Sequence, residues 1–149
     1  MTPESPPLRA TAVTREGQPF DTVTLTHDDR HRRRIRLTTD SGTPFLLDLA
    51  EAHHLADGDL LALEDGRYLR IRAALEPVLE IEASTPIELA RLAWHLGNRH
   101  TPVQVLEQGR LRLRDDHVLA AMLEQLGAKV TRSAAPFSPE HGAYGGHGH

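Results

Sequence analysis

The chain has 149 residues, a formal net charge of −4 and no cysteine. That length allows one domain or two small ones. The charge gives no global attraction to nucleic acid, and the missing thiols exclude disulfides, thiolate metal sites and cysteine nucleophiles together. With 39% hydrophobic but only 4% aromatic residues, the cores must be built from Leu, Val, Ile and Ala.

The start of the chain, Met1 to Leu8, carries Glu4 and three prolines in place of an apolar core, which is not a secretory signal. No apolar run approaches the roughly 20 residues that span a bilayer. A soluble, cytoplasmic protein without membrane partners is expected. Residues 8–16 are a weak strand candidate. Asp21 to Thr26 alternates, with Val23 and Leu25 on one face; Asp28-Asp29 supplies a turn, and His31 to Thr39 carries Ile35 and Leu37. These two strands read as a hairpin. The run Arg32-Arg33-Arg34 with Arg36 reads as a solvated strand edge rather than a phosphate site. Short strands follow at Phe45–Leu49, Leu60–Leu63 and Tyr68–Ile71, with turn signals about every ten residues, which predicts a small all-β unit. His53 and His54 lie in a connection and read as surface residues.

From about Ala74 the pattern changes. Val78, Leu79 and Ile81 form a strand, Ser84 is the expected N-cap, and Pro86 and Glu88 suit a first helical turn. Ile87, Leu89, Leu92 and Leu96 recur at helical spacing up to Gly97, the expected left-handed terminator. Strands over Val103–Leu106 and Leu111–Arg114 follow. Asp115 or Asp116 caps a second helix bearing Leu119, Met122, Leu123 and Leu126, Gly127 ends it, and Ala128–Thr131 is a last strand. The order β-α-β-β-α-β is ferredoxin-like. From Ser133 periodicity is lost. The fold class is therefore α+β: a small all-β domain over 1–73, a ferredoxin-like domain over 74–134, and a flexible tail over 135–149 holding His141, His147 and His149. Those terminal histidines are spaced by glycine, unlike the uninterrupted run of an affinity tag, and read as natural.

Ten histidines in a chain without cysteine direct attention to imidazole chemistry. His95 and His100 flank the turn after the first helix, with Asn98 and Arg99 between them. The turn can be purely structural, braced on backbone carbonyls, or it can present metal ligands. A histidine-only donor set suits Ni(II), Cu(II) or Zn(II). His117 follows Asp115 and Asp116, which is either a capped helix start or an accessory site. There is no phosphate-cradling glycine loop, nucleophile elbow or His-Glu-x-x-His helix, so catalysis is not expected. RNA recognition on this fold stacks bases on strand aromatics, and Val78–Glu82 and Arg110–Arg114 contain none.

Three patches carry a resemblance to a known family. They are Trp94-His95-Leu96-Gly97-Asn98-Arg99-His100-Thr101-Pro102, then Asp116-His117-Val118-Leu119 with Leu123, then Pro136-Phe137 through Pro139-Glu140-His141-Gly142-Ala143-Tyr144. Over 74–149 their order and spacing resemble the UreE family, the nickel metallochaperones of urease maturation; the first half matches only as a small β domain. The resemblance implies an N-terminal domain that binds polypeptides and a C-terminal domain that dimerises. It places nickel on His100, with tail ligands at His147 and His149 and a further candidate at His141. The accessory site of some members would fall at His117, where it is incomplete. Many members carry long polyhistidine tails, whereas this chain ends after His149, so delivery of one or a few ions is expected rather than storage. The implied protein is a homodimeric, non-enzymatic carrier of Ni(II), able to take Zn(II) or Cu(II) in vitro, that works with the urease-maturation GTPase and the urease apoprotein. The alternative is a protein-binding adaptor in which metal is incidental.

Overall fold

The computed structural model describes residues 7–141. The chain divides into two compact units, Met1–Ala74 and Leu75–His149. The first is one mixed sheet of six strands: β1 (Arg9–Thr14), β2 (Pro19–Leu25), β3 (Arg34–Thr38), β4 (Pro44–Asp48), β5 (Leu60–Leu63) and β6 (Tyr68–Ala73), in the order β2-β6-β5-β1-β4-β3. Its core joins Val23, Leu25, Phe45, Leu47, Leu61, Leu69 and Ile71, each no more than 3% exposed.

The expected β2–β3 hairpin does not form. β2 pairs in parallel with β6, β3 pairs antiparallel with β4, and the two sit at opposite ends of the strand order. The connection between them is no tight turn. It contains a 3-10 helix at Asp29–His31 whose buried Arg30 donates from Nη1 to the carbonyl of Leu55 (3.3 Å) and accepts the Leu55 N–H on its own carbonyl (3.0 Å). Asp40, just past β3, ties the sheet back on itself by donating its N–H to the Thr22 carbonyl (2.8 Å) and accepting the Thr24 hydroxyl (2.9 Å). Arg34 and Arg36 on β3 are exposed, and Arg34 lies 3.6 Å from Asp48.

The second unit is β7 (Glu76–Glu82), α1 (Pro86–Asn98), β8 (Gln104–Leu106), β9 (Arg110–Arg114), α2 (His117–Gln125) and β10 (Lys129–Ala135). The sheet order β10-β7-β9-β8, antiparallel throughout, is the ferredoxin-like arrangement. Alternation sends Leu79, Ile81, Leu111 and Leu113 to one face, where Leu92 and Leu96 of α1 and Ala120 and Leu123 of α2 cover them.

Three local expectations are corrected. Thr85, not Ser84, is the N-cap of α1: its hydroxyl accepts the Glu88 N–H (3.1 Å), while the Glu88 carboxylate accepts the Ser84 N–H (3.3 Å). Gly97 is an ordinary helical residue, and the left-handed residue after α1 is His100. The ordered chain also runs beyond Ser133. β10 pairs with β7 as far as Ala135 against Glu76, and Phe137 is fully buried with Val78 and Ala135 on the sheet face away from the helices. Ser133-Ala134-Ala135 shows no alternation because small residues on an edge strand need none.

Candidate metal centre

The end of α1 is held by two backbone hydrogen bonds. His100 N–H donates to the Gly97 carbonyl (3.0 Å) and Thr101 N–H to that of Leu96 (3.0 Å). This is the Schellman pattern, which requires a left-handed residue one place past the C-cap. Arg99 is the C-cap, so the left-handed position falls on His100, with φ +57°. Glycine takes this conformation freely, while a residue with a Cβ is strained there by about 1–2 kcal/mol. Strain kept at an exposed histidine points to a use for the side chain. The helix dipole adds to this: the C-terminus of α1 carries a partial negative charge, which favours a cation beside it.

Around the turn, Arg99 donates from Nη1 to the Met122 sulfur (3.4 Å), tying the end of α1 to α2. His95 is half-buried and meets the exposed Trp94 edge-on, with ring centroids 5.1 Å apart. The strand register places the end of α1, the start of α2 and the end of β10 at one end of the sheet, since Arg114 pairs with Val78 and Ala135 with Glu76.

His117 is exposed at that same end, but as the first residue of α2. The partial positive charge of a helix N-terminus opposes a cation there. Asp116 is occupied in capping, accepting the N–H groups of Val118 (2.8 Å) and Leu119 (3.1 Å) through one oxygen. His141 is exposed just beyond Glu140, whose N–H donates to the Val103 carbonyl (2.8 Å). Val103 is three residues from His100, at most about 11 Å of chain. His147 and His149 lie outside the described residues. Among the described residues, no three His, Asp or Glu side chains converge on a point where they could hold a metal.

Sequence reasoning did not anticipate the contact of His31 with His54 in the first unit, where the rings stack at 4.0 Å and 24°. Imidazole lone pairs lie in the ring plane, so two nearly parallel rings cannot aim at one ion. Of the imidazoles described, only His100 combines exposure, a helix C-terminus and a strained backbone.

Comparison with known proteins bears on both units. A family model described as "UreE urease accessory protein, N-terminal domain" matches residues 5–74, and "UreE urease accessory protein, C-terminal domain" matches residues 76–149. The chain belongs to the UreE urease accessory protein family. It is 56% identical over 124 residues to the UreE of Bradyrhizobium sp. (strain ORS 278), covering 83% of this chain and 59% of that protein. Against the UreE of Chelativorans sp. (strain BNC1) it is 50% identical over 143 residues, 95% of this chain and 90% of the relative. Against that of Rhizobium meliloti (strain 1021) it is 48% identical over 147 residues, 96% and 95%. The chain thus spans about three-fifths of some UreE relatives and nearly the whole of others. Among the described residues of this UreE-family chain, no helix is long and apolar enough to cross a membrane.

Proposed function

We propose that the chain is a nickel carrier that serves urease maturation without catalytic turnover, taking Ni(II) at His100 and handing it on. The observation that carries this reading is the exposed histidine at a left-handed position which glycine would occupy at lower cost. Family membership supports the urease connection, and the partners it suggests are the maturation GTPase and the urease apoprotein in the cytoplasm. Neutral imidazole and a divalent late transition metal are well matched.

One histidine on a turn cannot hold a labile divalent ion firmly, and the described part of a single chain offers no convergent third donor. A two-fold dimer solves this, because an isologous interface brings the same residue from each subunit to one axis. Two His100 imidazoles then supply half of a four-coordinate set, and His147, His149 or His141 complete it. Such a site exchanges its ion readily, as transfer requires. Zn(II) or Cu(II) would compete in vitro.

The test is His100→Ala in the full chain, by calorimetric nickel titration with mass measured by light scattering. The expected result is a dimer that has lost its tightest nickel, one ion per two chains in the parent. A variant that binds this ion with parental affinity would make His100 a turn residue and favour the adaptor reading.

A further inference from the structure

Beyond β10 the chain does something the metal reading does not require. Ala135 leaves the sheet on the β10 edge, yet Glu140 is bonded to β8, the opposite edge. Three inter-strand spacings separate those edges, about 14 Å. Residues 136–140 span at most about 17 Å when extended. The crossing is therefore nearly taut, and Pro136 and Pro139 stiffen it.

It is also pinned along its length. Phe137 is fully buried against Val78, with the Arg114 guanidinium 5.6 Å from its ring centre. The Pro136 carbonyl accepts from Arg112 Nη1 (3.1 Å), an arginine already fixed by Nε and Nη2 on one Glu80 oxygen (3.0 and 2.8 Å). Ser138 N–H donates to the Gln104 side-chain carbonyl (3.0 Å). Glu140 then bonds twice: its N–H to Val103 O (2.8 Å), and its carboxylate as acceptor for the Val105 N–H (3.2 Å). Phe137 alone would cover the apolar patch at Val78 and Ala135. The contacts beyond it serve to direct where the chain goes next.

We propose that Pro136–Glu140 is a positioning strap, with Glu140 as its catch, that carries the C-terminal histidines from the β10 edge to the side of the sheet bearing the His100 turn. This rests on the nickel reading above. Seven residues run from Glu140 to His147, at most about 25 Å of chain, so the tail histidines reach His100 from this exit by length alone. Released at Ala135, His147 is twelve residues from the last fixed point instead of seven. Effective concentration falls as about the −3/2 power of tether length, so by roughly twofold here.

The chain has one tryptophan, Trp94 on α1, and no cysteine, so position can be read without metal. Ala143→Cys is labelled with an energy-transfer acceptor for Trp94, and nickel affinity is measured by calorimetry on unlabelled full-length chains. Glu140→Pro removes both the N–H and the carboxylate, and Glu140→Gln keeps both bonds. Gln104→Ala with Glu140→Ala loosens the strap without backbone demand, should the proline variant fold poorly. Expected are an affinity weaker by up to about twofold and reduced energy transfer in the loosened chains, with wild-type values for Glu140→Gln. In a His141→Ala/His147→Ala/His149→Ala background, loosening the strap should change affinity no further. Unchanged energy transfer, unchanged affinity, or an equal loss in that background each overturns the proposal. Failure of the nickel reading is told apart by His100→Ala keeping parental affinity while the strap variants still change energy transfer.

Discussion

The two helices of the second unit end in the same way with different residues. After α1, His100 and Thr101 donate to Gly97 and Leu96; after α2, Gly127 and Ala128 donate to Glu124 (3.0 Å) and Leu123 (3.0 Å). The left-handed residue is His100 in one case, φ +57°, and Gly127 in the other, φ +91°. Gly127 is the low-strain solution, and nothing lies within 4 Å of a Cβ built there. α1 departs from that solution at the exposed end where the C-terminal segment returns. One helix end thus takes the low-strain glycine, and the other holds an exposed histidine in the same strained conformation.

The largest effect should come from making the two ends alike. His100→Gly should lose more than the roughly 10–100-fold in nickel affinity typical of outer-shell changes at metal sites. It should also stabilise the metal-free protein by about 0.5–1 kcal/mol. Calorimetry and thermal melting of the same samples check both signs, and a destabilised variant would mean that the His100 side chain packs for the fold.

Lowering the pH separates the two ends chemically. A protonated imidazole cannot ligate, so nickel binding through histidine should weaken on acidification. The fold should outlast the metal. In the first unit the Arg9 hydrogen bond holds the Asp48 carboxyl below its ordinary range, the Ser41 hydroxyl does so for Asp21, and Arg67 for Asp65. Carboxyls with lowered folded pKa values stabilise above their unfolded value, near pH 4, and lose this as pH falls through the folded value. Nickel should therefore leave on acidification while circular dichroism is still unchanged, and loosening of the first unit should begin only below about pH 4. Simultaneous loss of metal and fold would contradict this.

Gly127→Ala supplies the reverse of His100→Gly. It should cost about 1–2 kcal/mol of stability through backbone strain, since the added methyl meets nothing, and should leave nickel affinity unchanged. The smallest effects belong to the helix starts. Thr85→Ala and Asp116→Ala should each cost about 1 kcal/mol, with Asp116 the larger because its carboxylate holds two N–H groups and the Thr85 hydroxyl one. Thermal melts of the pair decide this, and neither substitution should alter nickel binding.

Both helices and the antiparallel sheet of the second unit were legible in the sequence, because apolar residues at three and four, and at two, report burial directly. The caps were harder. Ser84 and Thr85 are chemically equivalent as caps, and only the hydrogen bond to Glu88 decides between them. Gly97 attracted the terminator role because glycine is the cheap choice, so the strain at His100 was invisible until its φ was known. His100 was named as the nickel position through the family resemblance, and the residues of the turn alone left a purely structural role open. Pairing in the first unit failed for a different reason. β2 lies beside β6, far along the chain, and no local pattern reports a parallel partner. Phe137 is an isolated aromatic between prolines, and without periodicity it read as tail.

The bond from Glu140 to β8 has a consequence for solubility. β8 is three residues long and stands at an edge of its sheet. Its flanking carbonyl at Val103 and its N–H at Val105 are both taken by Glu140. An open strand edge is a template on which another chain can add. A shortened chain ending before Ser138 would leave that edge bare, and it would self-associate through β8 at concentrations where the full chain does not.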